Sequence, residues 1–153
     1  MIVASVKFTY VEPSALTKLY LHEPQSQGMA NWRRKNPDPL VVTLFGKVEI
    51  TNAIARARRP GFLNQEQHDA AQANFENDFN SGQYLQTDPS WRAVLRRARE
   101  MSLTYPPVFY TRTLDILHVA TAIELGMSVL VTFDHKQAIM AQAVGLKVVT
   151  PVI

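Results

Sequence analysis

Four carboxylates in this sequence lie inside or directly beside apolar segments, where an ionised side chain is costly. Glu12 follows the apolar run KFTYV, and Asp134 follows the apolar run SVLVTF. Glu49 and Asp115 each have an aliphatic residue on both sides. A group of carboxylates in such surroundings persists mainly when a cation compensates its charge. Because oxygen ligands without any cysteine favour a hard ion, the sequence indicates Mg²⁺ or Mn²⁺.

The elements that must position these acids alternate between strand and helix. Strands are predicted at about Val6 to Val11, Pro39 to Phe45, Tyr84 to Thr87, Ser128 to Phe133, and LKVVT. Helices are predicted at about Pro13 to His22, Pro24 to Lys35, GKVEITNAIARARR, Asn64 to Phe79, WRAVLRRAREMSLTY, TRTLDILHVATAIELG, and His135 to Val144. The helix from Asn64 to Phe79 has few aliphatic residues and is expected to be a surface arm. This alternation predicts an α/β sandwich around a mostly parallel sheet.

In open parallel sheets, sites form beyond the carboxyl ends of the strands. Glu12 and Asp134 follow strands directly, and Glu49 and Asp115 come early in helices that start near the same edge. Taken singly, each acid could be a helix cap or a first-turn charge. Jointly they favour a site for one or two hard cations at this edge of the sheet.

Three further side chains lie near this predicted edge. The hydroxyls of Ser14 and Thr132 could orient a carboxylate or a metal-bound water, or could simply cap a turn. His118 follows Asp115 by three residues, so one helical face could carry both. A histidine in such an apolar helix is more often a packed, hydrogen-bonded residue than a metal ligand.

Arginines are clustered, and the formal net charge is +3. The groups are Arg33, Arg34 and Lys35, then Arg56, Arg58 and Arg59, then Arg92, Arg96, Arg97 and Arg99. Clustered guanidinium groups favour phosphate-rich partners, although a solvated helix face gives the same pattern. Arg56, Arg96 and Arg112 are our candidates for contacting a phosphate-rich partner. Trp32 and Trp91 could stack on bases, but core packing is the more common role.

Length and composition limit the classes of protein. A chain of 153 residues, 46% of them hydrophobic, suits one folded domain spanning residues 1–153. The absence of cysteine excludes disulfides, thiol nucleophiles and cysteine-based zinc sites. No apolar run reaches the length of a membrane span, and no P-loop or D-x-D phosphatase motif is present. We expect a soluble, cytoplasmic protein.

Three segments, in the right order, resemble PIN-domain proteins and especially VapC-type toxins. TRTLDILHVATAIELGMSVLVTFDHKQAIMAQAVGLKVV resembles the C-terminal half of that family, YVEPSALTKLYLHEP its opening, and LFGKVEITNAIARA its middle element. The resemblance implies a three-layer α/β/α sandwich with a mostly parallel sheet of four to five strands. It also implies an acidic pocket that holds Mg²⁺ or Mn²⁺ and cuts single-stranded RNA. The family's acids fall on Glu12, Glu49, Asp115 and Asp134, and its hydroxyls fall on Ser14 and Thr132.

Members of this type usually act as toxins that a cognate antitoxin holds inactive, and they are often homodimers. This sequence departs from the family pattern at two adjacent positions. Glu12 stands where the family has Asp, and Pro13 stands where it has Thr. The leading hypothesis is a metal-dependent endoribonuclease in which Glu12, Asp115 and Asp134 hold the ion. Glu49 would bridge the ion or bind its water, and the arginine clusters would hold the RNA. The alternative is a catalytically degenerate PIN fold that binds RNA or a protein partner without cutting.

Overall fold

A computed structural model describes residues 9–105 and 110–153. Its strands are β1 (Thr9–Val11), β2 (Leu40–Val42), β3 (Tyr84–Gln86), β4 (Val129–Val131) and β5 (Lys147–Val149). Its helices are α1 (Pro13–Thr17), α2 (Ser26–Lys35), α3 (Leu44–Ala57), α4 (Gln65–Asn80), α5 (Trp91–Thr104), α6 (Thr113–Glu124) and α7 (His135–Ala143). Every strand pairing within the described residues is parallel, which confirms the predicted α/β class. The part of the first predicted strand from Val6 to Phe8 lies outside the described residues.

The chain divides into two compact units, and the first comprises Met1–Glu12 and Asp88–Thr150. Its sheet has the strand order β1-β4-β5, with Tyr10 opposite Leu130 and Leu130 opposite Val148. The core joins this sheet to α5, α6 and α7 through fully buried side chains such as Val94, Val119 and Leu130. Parallel strands with both faces covered must be apolar along their length, which explains the sequence of β4.

The second unit comprises Pro13–Thr87 and Pro151–Ile153. Its described strands, β2 and β3, form a two-stranded parallel sheet. The expectation that the segment from Asn64 to Phe79 is a surface arm is wrong, because Phe75 of α4 is 0% exposed. The Phe75 ring lies 5.3 Å from the ring of Tyr20 and 5.9 Å from that of Tyr84. One narrow apolar strip on α4 therefore supplies the aromatic core of this unit.

Two predicted boundaries differ from the observed ones. The second strand ends at Val42, because the Thr43 hydroxyl accepts a hydrogen bond from the Gly46 N–H at 2.9 Å and caps α3. The first helix, predicted to reach His22, ends at Thr17, and the chain continues in turns. Predicted α6 and α7 agree with the structure to within about two residues, and Gly126 follows α6 with a φ of 74°. Within the described residues, no helix combines the length and apolarity needed to cross a membrane.

Candidate active site

Glu12 lies at the carboxyl end of β1. Its backbone N–H donates to the Val131 carbonyl oxygen at 3.0 Å, which extends the β1–β4 pairing by one residue. The side chain is only 7% exposed. Its Oε1 lies 3.8 Å from Nε2 of His118 on α6. That separation is too long for a direct hydrogen bond but close enough for strong electrostatic interaction in a buried site.

His118 is held from its other side. The hydroxyl of Tyr10 lies 2.7 Å from His118 Nδ1, and both residues are buried. This fixes the ring and directs Nε2 towards Glu12. The more common role expected for His118, a packed and hydrogen-bonded residue, is thus confirmed. The same geometry places the imidazole beside one of the four candidate acids.

Asp115 and Asp134 lie close enough to affect each other. Burial raises the pKa of the Asp115 carboxyl above its ordinary value, and the negative charge of Asp134 raises it further. A backbone hydrogen bond from Arg112 and the positive charges of His118 and Arg112 oppose this rise in pKa. Both acids line one open pocket, whose other lining residues are Arg112, Thr113, Leu114, Phe133, His135 and Lys136. The first unit therefore brings together two of the predicted acids and one of the predicted arginines.

Asp134 is also the N-cap of α7. Its Oδ1 accepts a hydrogen bond from the Gln137 N–H at 2.8 Å. Its own backbone N–H donates to the Thr132 hydroxyl at 3.0 Å. Thr132 is fully buried and has a further bond, since Thr150 donates to its carbonyl oxygen at 3.0 Å. The Thr132 hydroxyl therefore caps the turn that carries Asp134, which is the alternative role given for it, and its role in supporting a metal site stays a prediction.

Gln137 is a site residue that the sequence reasoning missed. Its side chain is 0% exposed, accepts a hydrogen bond from the Thr132 hydroxyl at 2.7 Å and donates to the Asp115 carbonyl oxygen at 3.2 Å. One amide therefore connects the end of β4, the start of α6 and the start of α7. The signal was available, because Asp134 and Gln137 have the spacing of a capping box. In this helix the N–H of the N-cap residue Asp134 donates to the Thr132 hydroxyl instead of to Gln137. The Gln137 side chain therefore bonds to the Thr132 hydroxyl and to the Asp115 carbonyl oxygen.

The other predicted residues are distributed over both units. Glu49 is half-buried in α3, Ser14 is exposed in α1, and Arg56 is exposed in the last turn of α3; all three belong to the second unit. Their convergence with Glu12 stays a prediction. Arg96 is exposed on α5 of the first unit, and Arg112 is the exposed N-cap residue of α6. Of the three arginines, Arg112 is the one that lines the pocket of Asp115 and Asp134.

The chemistry of the donor set fits a hard divalent cation. Glu12, Asp115 and Asp134 offer carboxylate oxygens, and the imidazole of His118 lies 3.8 Å from Glu12 and interacts with Asp115. Burial first, and then the negative charge of Asp134, raise the pKa of Asp115, and a bound cation would offset both effects. Oxygen ligands of this type suit Mg²⁺ and Mn²⁺.

Comparisons with known proteins indicate the family of the chain. A model of the PIN domain family matches residues 9–143. The chain is similar to Ribonuclease VapC35 of Mycobacterium tuberculosis, with 30% identity over 148 residues that cover 93% of this chain and 96% of that protein. It is 27% identical to Ribonuclease VapC46 of the same species over 145 residues, with the same coverage. Among solved structures, the crystal structure of FitAcB from Neisseria gonorrhoeae matches with a TM-score of 0.66 and 13% identity, covering 94% of this chain and 97% of that chain. At that identity, the likeness is one of fold.

Proposed function

Because the chain belongs to the PIN-domain family and to its VapC-type members, we propose that it is a metal-dependent endoribonuclease that cleaves single-stranded RNA. In this proposal it is the toxin of a type II toxin–antitoxin pair. The observation that carries the proposal is the pair formed by Asp115 and Asp134 in one open pocket, where each carboxylate repels the other. Buried Glu12 at the end of β1 supplies the third acid.

The roles of the residues follow from their positions. Glu12, Asp115 and Asp134 would hold Mg²⁺ or Mn²⁺, with Glu49 bridging the ion or binding its water. When bound, the ion lowers the pKa of a water ligand and offsets charge on the phosphate. Arg112, at the rim of the pocket, pairs with a phosphate of the RNA strand.

The buried residues behind the acids orient them. Gln137 and Thr132 hold the start of α7, and with it Asp134, against the end of β4. Tyr10 holds His118, whose Nε2 faces Glu12. Such outer partners typically change metal affinity or activity by about 10- to 100-fold when they are removed.

The test is RNA cleavage in Mn²⁺ by the wild type and by Asp115→Asn. Removal of a residue that only orients a metal ligand typically lowers activity by up to about 100-fold. Since Asp115 would bind the ion directly, Asp115→Asn should lower the cleavage rate by more than that. Glu100→Gln, an exposed acid on α5, is the matched control and should keep the wild-type rate. Undiminished cleavage by Asp115→Asn would contradict the assignment.

A second candidate function has one observation in its favour. Glu12 stands where the family has aspartate, and its carboxylate lies against His118. If Glu12 interacts with His118 instead of with a metal ion, the protein would bind RNA or a protein without cutting. Titration of Mn²⁺, followed by the relaxation of water protons, separates the two functions. Absence of binding at millimolar Mn²⁺, with RNA affinity intact, would favour the binding module.

The proposed partners follow from the VapC-type membership. We propose a cognate antitoxin and a homodimer, with RNA as the substrate and the cytoplasm as the location. Co-expression with the small reading frame next to the gene is the direct check on the antitoxin. Suppression of toxicity together with co-purification would support this partner, and toxicity that persists would argue against that frame.

A further inference from the structure

The connection between α3 and α4 carries an exposed aromatic ring with an arginine stacked on it. We name residues 58–63 the Arg–Phe loop: Arg58, Arg59, Pro60, Gly61, Phe62 and Leu63. Phe62 is 62% exposed. The guanidinium carbon of Arg59 lies 4.0 Å from the centre of its ring. The ring therefore carries a cation on one face, in the geometry of a cation–π contact.

The loop has internal hydrogen bonds that fix the ring. The Phe62 N–H donates to the Arg59 carbonyl oxygen, and the Leu63 N–H donates to the Ala57 carbonyl oxygen, both at 3.0 Å. Gly61 has a φ of 83°, a conformation that glycine adopts without steric cost. The next residue after the loop, Asn64, begins α4 with a complete capping box. Phe62 is therefore presented on a defined turn.

Two pockets of the second unit share this loop. One is lined by the loop itself together with Asn64, Gln65 and Gln67. The other is lined by Arg59 and Phe62 with Arg56 and the segment Leu21 to Glu23. The carboxylate of Glu23 is paired with Lys18 at 2.7 Å, so the second pocket keeps a positive character from its arginines.

The apolar surface around Phe62 is small. Leu44, Val48 and Leu85 of the same unit are also exposed, but among the residues that line the two pockets Phe62 is the only exposed large hydrophobic side chain. A stable protein–protein interface needs a broad buried core, typically with about 800 Å² from each partner. A nucleobase needs only one ring face and an adjacent positive charge for its phosphate. The observations therefore favour a single-stranded nucleic acid over a protein at this loop.

We propose that the Arg–Phe loop is a binding site for single-stranded RNA, in which one base stacks on the Arg59–Phe62 pair and Arg56 contacts a neighbouring phosphate. The planar guanidinium and the ring already form the kind of stack that accepts a base on its open side. The inference rests on the proposed function and adds to it a contact made by residues other than the four acids. Because every base has a π-face, this contact gives affinity with little sequence preference.

The test measures RNA binding without cleavage. Full-length Asp115→Asn protein is titrated against a fluorescein-labelled, unstructured 12-nucleotide RNA, and binding is followed by fluorescence anisotropy at several salt concentrations. In this background, Phe62→Ala should weaken binding by about 5- to 150-fold, the range for loss of one base stack. Phe62→Trp should restore the affinity. Leu103→Ala, which removes an equally exposed side chain from α5, is the matched control and should bind like the parent.

The salt dependence separates stacking from charge. Phe62→Ala should leave the slope of log affinity against log salt unchanged, whereas Arg56→Ala should reduce the slope by about 0.7. Phe62→Ala binding equal to that of the parent, or a Phe62→Trp variant that fails to restore binding, would overturn the inference. If wild-type cleavage is present while Phe62→Ala binds normally, only this inference fails. If the wild type neither cleaves nor binds RNA, the proposed function fails with it.

Discussion

Gln137→Leu tests whether one buried amide holds the candidate site together. Leucine has nearly the volume of glutamine but cannot accept from the Thr132 hydroxyl or donate to the Asp115 carbonyl oxygen. Two hydrogen bonds are lost at about 1 kcal/mol each, and the buried Thr132 hydroxyl loses its acceptor at a further cost of about 1–3 kcal/mol. The Asp115 carbonyl keeps its intrahelical bond, and leucine gains some transfer energy. The free energy of unfolding should therefore fall by about 2–4 kcal/mol.

Urea denaturation measures this loss. The midpoint should move to lower urea while the slope of unfolding free energy against urea stays unchanged, because the folded surface is the same. Gln142→Leu is the matched control, since Gln142 is exposed on the same helix and its change should stay within about 0.5 kcal/mol. Mn²⁺ affinity of Gln137→Leu should fall by about 10- to 100-fold. A Gln137→Leu midpoint equal to that of Gln142→Leu would refute the role given to the amide.

Three other perturbations test neighbouring contacts. The pKa of Asp115 is raised in the folded protein, so its ionisation lowers the free energy of unfolding as pH rises from the ordinary value of 3.8 through the folded value. In urea unfolding with EDTA present, Asp115→Asn should therefore be more stable than the wild type at pH 7. The difference in the free energy of unfolding between the two proteins should disappear at acidic pH. A gap that stays constant with pH would contradict the burial and repulsion assigned to this acid. Tyr10→Phe removes the hydroxyl that lies 2.7 Å from a buried His118 nitrogen and should lower the free energy of unfolding by about 1–3 kcal/mol. Tyr110→Phe, at an exposed ring, is the control and should lower it by less than about 0.5 kcal/mol. Equal losses in the two variants would argue against the contact between Tyr10 and His118. Glu12→Asp withdraws the carboxylate from His118 and restores the usual first acid of the family, so RNA cleavage in Mn²⁺ should increase; an unchanged rate would mean that the glutamate is accommodated without loss.

The acids of the first unit could be predicted because their position conflicts with their chemistry. An ionised residue directly after an apolar strand is unusual, and the parallel topology sends strand ends to one edge. The observed pairing of β1 with β4 places Glu12 and Asp134 after adjacent strands, as that reasoning requires. The hydroxyl of Thr132 was predictable for the same reason. Local sequence was sufficient for the positions of Glu12 and Asp134, because each comes shortly after the strand that positions it.

Gln137 and Phe75 could not be assigned in the same way. The partners of Gln137 are separated in the chain, with Asp115 lying 22 residues away. The periodicity of apolar residues along α7 does not identify its buried face, because the helix is short and its buried residues include both polar and apolar types. Phe75 lies in a polar helix whose burial depends on Tyr20 and Tyr84, and no local pattern joins those three positions. Sequence periodicity reports the average polarity of a helix face, whereas these residues depend on single tertiary contacts.

Asp134 shows why a cap and a metal ligand need not be competing explanations. The cap uses Oδ1, which accepts from the Gln137 N–H, and a carboxylate has a second oxygen. The same hydrogen bond fixes the plane of the carboxyl group, while Thr132 fixes the backbone that carries it. As the N-cap of α7, the carboxylate also lies at the helix end whose dipole attracts negative charge. Capping therefore stabilises the charge and orientation that a divalent cation requires, and loss of the cap should weaken metal binding before it unfolds the helix.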